Sequence, residues 1–257
     1  MTPALLAFDT STEALAVALQ WAGGRLAWNG VGGAQASAAL LPTVQRLLDE
    51  AGVTLVDLDA IAFGCGPGAF TGLRTACSVA QGLAFGADKP VLPIDSLLIV
   101  AEDERACRGL PDMLDVAVAM DARMGELYAA RYRWTACNWQ ALQAPGLWDP
   151  QAWLTACTQT LASSHRGADV PAVPATNHAP PGLVWTGSGL PLLGEVPAGP
   201  VQVGRLACAD RADALLRLAD RAWRDGGTVP AEQALPVYLR DKVALTTAER
   251  QALKAGV

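Results

Sequence analysis

Lysine is scarce in this chain. Among its 257 residues the lysines are Lys89, Lys242 and Lys254, and the other basic residues are arginines spread without a block. With a formal net charge of −6, this leaves no footprint for autonomous nucleic-acid binding. The histidines, His165 and His178, lack the i, i+4 helical spacing that would put both on one metal ion. The cysteines (Cys65, Cys77, Cys107, Cys137, Cys157, Cys208) form no CxxC pair. Neither a zinc site nor a disulfide framework is expected, and they read as reduced, buried small hydrophobes. No apolar run approaches the roughly 18 residues of a membrane span. The opening MTPALLAFDTS has no basic n-region and meets a charge at Asp9, so no signal peptide is expected either. The expectation is a cytoplasmic protein without membrane contact.

What is present is apolar: 51% hydrophobic against 17% charged residues, enough for a sizeable core in one large domain or two lobes. Leu5 to Phe8 reads as a strand ending in Asp9-Thr10-Ser11-Thr12, followed by strands over Leu15–Trp21 and Arg25–Trp28 joined at Gly23-Gly24. Gln35 to Ala51 carries Leu40, Val44, Leu47 and Leu48 on one helical face, with Pro42 predicting a kink or a late start. Val91 to Ile94 is a strand, and Asp95 or Ser96 caps a helix running to about Cys107. A second start follows. Asp115–Met120 and Glu126–Trp134 repeat the strand, Asp, turn, strand pattern at an offset of about 112, with Asp121 on Asp9, which suggests two duplicated lobes. Ser163 to Gly182 is rich in Pro and Ala and reads as an exposed insertion. Ala209–Arg224 is helical, Pro236–Leu239 extended, and Thr246 with Glu249 forms a capping-box pattern.

One stretch organises the rest: AIAFGCGPGAFTGLRTACSVAQGLAFGA, from Ala60 to Ala87. It predicts a strand to Phe63, a glycine loop, and a helix from about Thr71, a candidate N-cap. Free N–H groups at that helix start could hold an anion, yet the loop fits neither G-x-x-x-x-G-K-[ST] nor G-x-G-x-x-G. The helix is apolar nearly all round and needs cover on more than one side. Gly72, Ala76, Ala80 and Ala84 recur every four residues as a smooth strip, with Val79, Leu83 and Phe85 supplying bulk.

Several candidate sites carry two readings each. Asp9, Thr10, Ser11 and Thr12 could contact phosphate or a metal, or simply form an Asx or Ser/Thr turn. Arg74 lies on the unfavourable end of the helix dipole, which predicts either a carboxylate partner or a bound anion. Gly187 and Ser188 suit close approach of a nucleotide base or ribose, or a tight turn. Cys65 has no histidine near it in sequence and is not expected to be a nucleophile. After Asp121 the turn is Ala122-Arg123-Met124-Gly125-Glu126, too bulky for a second phosphate seat, so Asp121 and Glu126 read as structural or interfacial.

With FDTST at Phe8–Thr12, FGCGPGAFTGLRTA at Phe63–Ala76, AQGLAFG at Ala80–Gly86, DARMGELY at Asp121–Tyr128 and PVYLRDKVA at Pro236–Ala244, the chain resembles the TsaB (YeaZ) family. That family lies in the superfamily of actin, sugar kinases and DnaK-type ATPases. The resemblance implies an α/β, two-lobed actin-like fold, each lobe a mixed sheet flanked by helices. The expected division is 1–107, completed by 236–257, and 108–235 with the insertion near 163–182. It implies a non-catalytic subunit in the synthesis of threonylcarbamoyladenosine beside the anticodon of tRNAs reading A-starting codons. The implied partners are TsaD, as a heterodimer, and TsaE in a larger complex, with a homodimer when alone and tRNA reached indirectly. Leu40, Val44, Leu47, Gly72, Ala76, Val79, Ala80 and Leu83 are the expected partner interface. No catalytic residue, metal or required cofactor is expected, with ATP or ADP at or near the interface left open. An autonomous ATP-dependent kinase using Asp9, Thr10 and Gly187–Gly189 is the alternative. Where family members carry a His-Ser pair before the first helix, Ala36-Ser37 stands here.

Overall fold

The computed structural model describes residues 2–164, 182–194 and 201–240. Its first sheet has the order β3-β2-β1-β4-β5, built from β1 (Leu5–Asp9), β2 (Ala14–Trp21), β3 (Gly24–Val31), β4 (Ala60–Gly66) and β5 (Val91–Asp95). β1 pairs antiparallel with β2 and parallel with β4. Every residue of β1 and β4 is buried, as central strands covered on both faces require. The alternation sorts residues by size. Leu6, Phe8, Ile61 and Phe63 face α1 (Ala36–Ala51) and α2 (Phe70–Ala87). Leu5, Ala7, Ala60 and Ala62 face α5 (Arg211–Arg224), whose Ala212, Leu215 and Ala219 fit against that shallower surface.

The second sheet has the order β10-β9-β6-β7-β8, from β6 (Met113–Asp121), β7 (Leu127–Thr135), β8 (Asn138–Trp148), β9 (Leu183–Thr186) and β10 (Val201–Val203). It repeats the first: an antiparallel meander, then two parallel strands added beside its first member. Asp9 and Asp121 both end the leading strand, in keeping with the sequence repeat. α3 (Ser96–Cys107) lies between the sheets, Ile99 joining the first core and Leu97, Val100 and Ala101 the second. α4 (Pro150–Ser164) covers the far face through Trp153 and Cys157. The fold is the expected two-lobed one, with mixed sheets flanked by helices.

Several boundaries differ from expectation. β4 continues through Gly64 to Gly66 rather than stopping at Phe63, because its parallel ladder with β5 extends to Asp95. α2 starts at Phe70, and its N-cap is Ala69, without a side-chain cap; Thr71 is already helical. Pro42 neither kinks out nor delays α1, which begins at Ala36. β8 and α4 were not anticipated. α5, which the division at 108–235 would put in the second lobe, packs on the first sheet instead. Most of the 163–182 insertion and the Thr246–Glu249 pattern lie outside the described residues, within which no helix is long and apolar enough to cross a membrane.

α3 buries a run of charge: Glu102, Asp103, Glu104 and Arg105 are all at most 8% exposed. Each acid is wired to a different part of the chain. Glu102 accepts from Arg105, from Arg217 Nε at 2.6 Å and from Trp139 Nε1 at 2.9 Å. Asp103 accepts from the Ala209 and Asp210 amides at 2.7 and 2.9 Å, just before α5. Glu104 accepts from Arg108 Nε at 2.7 Å, the Arg205 amide at 3.2 Å and Thr186 at 3.3 Å. Burial alone would push Glu102 up, but its hydrogen bonds from Arg105, Trp139 and Arg217 outweigh that and hold it below its ordinary value. Its stabilisation is therefore present above the unfolded glutamate pKa of about 4.3 and drains away as pH falls through the lower folded value. In urea denaturation, Glu102→Ala should cost about 3–5 kcal/mol near neutrality, because the buried Arg105 loses its carboxylate and Arg217 is left with Asp213 alone. Glu102→Gln should narrow its deficit relative to the native chain as the pH is lowered below about 4.

Candidate functional site

A cleft of about 660 Å³ opens between the two sheets. Its floor comes from the turn after β1, the start of α2 and the start of α5; its far wall comes from the Asp121–Met124 turn and Gly187-Ser188. Such a volume suits a small ligand.

The turn after β1 is fastened to α2. Thr10 Oγ1 donates to the Gly72 carbonyl at 2.6 Å, and the Ala69 amide donates to the Ser11 carbonyl at 2.7 Å. This close seating explains two glycines of the organising stretch. A Cβ at Gly64 would stand 1.8 Å from Asp9 Oδ1, and one at Gly72 would stand 1.8 Å from the Thr10 carbonyl. Those glycines admit the chain's own turn.

Asp9 is fully buried and paired with Arg211, itself 3% exposed. Arg211 donates through Nε to Asp9, and through Nη2 to Ser11 Oγ at 3.0 Å and the Ser96 carbonyl at 3.2 Å. Ser11 Oγ donates to Asp9 Oδ2 at 3.0 Å. The expectation that Asp9 and Thr10 contact an anion or metal is thus corrected: Asp9 is satisfied internally, Thr10 is bonded to α2, and neither lines the cleft. Ser11, Thr12, Gly187 and Ser188 do line it. Gly187 also has a packing reason, since at φ +116° a Cβ there would lie 2.3 Å from the Ala119 carbonyl.

Arg74 has no carboxylate partner among the described residues. Its guanidinium stacks 3.9 Å over the Phe70 ring, and its Nε donates to Tyr238 Oη at 3.1 Å, so aromatic contact offsets its placement on the helix dipole. On the far wall, Arg123 and Met124 both hold positive φ, 66° and 58°. The Arg123 amide donates to Asp121 Oδ1 at 2.7 Å, and Arg240 crosses from the first lobe to bond Glu126 and the Arg123 carbonyl. Asp121 thus orders the turn, and Glu126 pairs with Arg240. Burial pushes the Cys65 thiol up to about 12, which leaves it inert.

Arg211 and Arg240 were missed by the sequence reading. Arg211 sits 202 positions from Asp9 in an ordinary amphipathic helix, and nothing near it in sequence signals that partner.

The proposed partner face is also corrected. Leu40, Val44, Leu47, Gly72, Ala76 and Ala80 are buried in the chain's own core, where they join α1 and α2 to β1 and β4. Val79 and Leu83 are only partly covered. What α1 and α2 leave outside is Leu41, Ser78, Gly82, Gly86 and, most prominently, Phe85 at 83% exposure. Because α2 is already covered on its small-residue strip, its outward face is the neighbouring one.

Gly64→Ala should lower stability by about 1–3 kcal/mol, the cost of forcing a methyl group against a buried carboxylate. Thermal unfolding of the variant beside the native chain measures it, and an unchanged midpoint would contradict the packing role.

Comparison with known proteins places this geometry. A family model described as TsaD, tRNA N6-adenosine threonylcarbamoyltransferase, matches residues 33–189. The Escherichia coli K12 tRNA threonylcarbamoyladenosine biosynthesis protein TsaB is 33% identical over 254 residues, covering 93% of this chain and 96% of that protein. The Haemophilus influenzae protein of the same description is 45% identical over 124 residues, which span 48% of this chain and 51% of that protein. YeaZ from Pseudomonas aeruginosa superposes with a TM-score of 0.74 at 39% identity, covering 92% of this chain and all 100% of that one. The family model spans the DARMGELY turn, and on the Escherichia coli match, which covers nearly the whole of both chains, the chain belongs to the TsaB (YeaZ) family.

Proposed function

We propose that this chain is a non-catalytic subunit of the machinery that makes threonylcarbamoyladenosine beside the anticodon of tRNAs reading A-starting codons. It acts by docking to a catalytic TsaD-type partner through the outward face of α1 and α2. TsaE joins the larger assembly, and tRNA is reached through the complex. A homodimer on the same face is the expected substitute when the chain is alone. ATP or ADP, if taken up, sits at or near the partner interface.

The observation that carries this reading lies on α2. Gly82 and Gly86 are exposed one turn apart, and a Cβ at either would meet nothing within 4 Å. Each glycine inside a helix costs about 1 kcal/mol relative to alanine, and nothing among the described residues requires the missing side chain. Phe85, beside them, is the most exposed large hydrophobic group described. Two open glycines flanking an exposed ring suit close approach of another helix, with the ring as anchor.

The alternative, an autonomous kinase or ATPase, is opposed by Asp9. A carboxylate already neutralised by Arg211 is unavailable to position a magnesium-bound phosphate, and the Arg123-Met124 turn fills the opposite wall. The cleft residues do not fit a metal–phosphate group.

Phe85→Glu should abolish co-elution with a TsaD-type partner on size exclusion while the thermal midpoint of the chain alone stays unchanged. Normal assembly would move the interface elsewhere. Gly82→Ala with Gly86→Ala should raise the stability of the isolated chain by up to about 2 kcal/mol, yet weaken the heterodimer. In a reconstituted tRNA-modification assay, omission of this chain should abolish product. The purified chain alone should show no ATP turnover that Asp9→Asn removes.

A further inference from the structure

At and just beneath the floor of the cleft, oxygens gather around one buried side chain. Around the Arg211 guanidinium stand the Asp9 carboxylate, the Ser11 hydroxyl at 3.0 Å and the Ser96 main-chain carbonyl at 3.2 Å. These groups arrive from two elements, the turn after β1 and the start of α3. The carboxylate meets Nε, and the hydroxyl and carbonyl meet Nη2, so all three oxygens surround one guanidinium. A carboxylate, a hydroxyl and a carbonyl are also the donor types of a hard cation such as magnesium or manganese, and here a positive charge of the chain's own stands among them.

The surroundings also suit an ion seat. Asp9 is held in place by the Ser11 amide at 3.4 Å and by Ser96 Oγ at 3.5 Å, so its carboxylate is oriented independently of Arg211. Gly64 gives it room, since a Cβ there would lie 1.8 Å from Oδ1. Ser11, Ser96 and Arg211 all line the cleft, which supplies an entry path. Arg211 itself is delivered by the first residue of α5, directly after the Asp210 N-cap, so the helix start fixes where its side chain enters. Arginine suits such a seat because its guanidinium is always charged, planar, and able to address several oxygens at once.

We propose that the Arg211 guanidinium is a built-in cation seated where Asp9, Ser11 and the Ser96 carbonyl would otherwise hold a hard divalent ion, so that the adjoining cleft accepts only metal-free ligands. The exclusion of a divalent ion from this seat is then carried by one side chain. The oxygen seat itself persists beneath it, and removing the guanidinium should expose it to solution cations.

Manganese binding to the full chain tests this, read by the paramagnetic resonance signal of Mn²⁺ and by thermal unfolding at constant ionic strength. The native chain should bind no manganese at this site, and its unfolding midpoint should not depend on manganese. Arg211→Met should gain one site, at least about tenfold tighter than any residual native binding. Its midpoint, lowered by the unpaired Asp9, should climb with the logarithm of manganese concentration. Asp9→Asn combined with Arg211→Met should lose both effects, and Arg211→Lys, which keeps a charge in the seat, should never acquire them. Should Arg211→Met be recovered only unfolded, refolding with and without manganese makes the same distinction. Recovery only with the ion supports the proposal, whereas equal failure overturns it. A folded Arg211→Met chain without a manganese response, or a native chain that binds manganese as tightly as the variant, also overturns it.

Discussion

A carboxylate–guanidinium pair closes this molecule at its centre. Asp9 and Arg211 are separated by most of the chain, yet both are essentially removed from solvent. Two charges buried this deeply are costly to desolvate, and their attraction offsets the cost only when every remaining hydrogen-bonding position is met. Here Ser11, Ser96 and the backbone meet them. The pair therefore holds four parts in one geometry: the end of β1, the start of α3, the start of α5 and, through Thr10, the start of α2. A shift of the β1 end or of α5 alone would leave a buried charge short of its partner.

The two sheets share a topology but have diverged at equivalent places. In the first, the turn after the leading strand is made of small hydroxyl residues and lies flat on α2. In the second, Arg123 and Met124 occupy it in the left-handed region, held by Asp121 and by Arg240 from the other lobe. Between the sheets, α3 exposes almost none of its acids and distributes them to α5, to the loop before α5 and to β8. The lobes are thus joined by polar bonds through a helix that otherwise reads as a solvated, charged one. A cleft remains, but its floor is neutralised and its far wall is filled by side chains.

The proposed docking role then rests on the surface. The strip of small residues on α2 is spent within the chain, packing against β4 and the β1 turn. The face with no internal explanation is the adjacent one, where two glycines and Phe85 stand open. Burial of a ring that size against a partner contributes in proportion to the apolar area removed from water, and glycines let the partner's backbone come near enough to use it.

By itself the sequence determined most strands, most helices and the duplication, because these depend on neighbours in the chain. Continuous apolar runs over Leu5–Phe8 and Val116–Met120 need no distant information, nor does Gly52 ending α1 or Asp95 starting α3. The family motifs, equally local, pointed to the right fold and family. Tertiary structure alone decided which apolar face was left over, since Leu40, Ala76 and Ala80 look identical in sequence whether they meet a partner or their own sheet. It also decided that Asp9 is paired, that Glu102 to Glu104 are buried and that Arg74 stacks on Phe70. Each of these rests on a contact between residues whose spacing has no period, and only the packed chain brings them together.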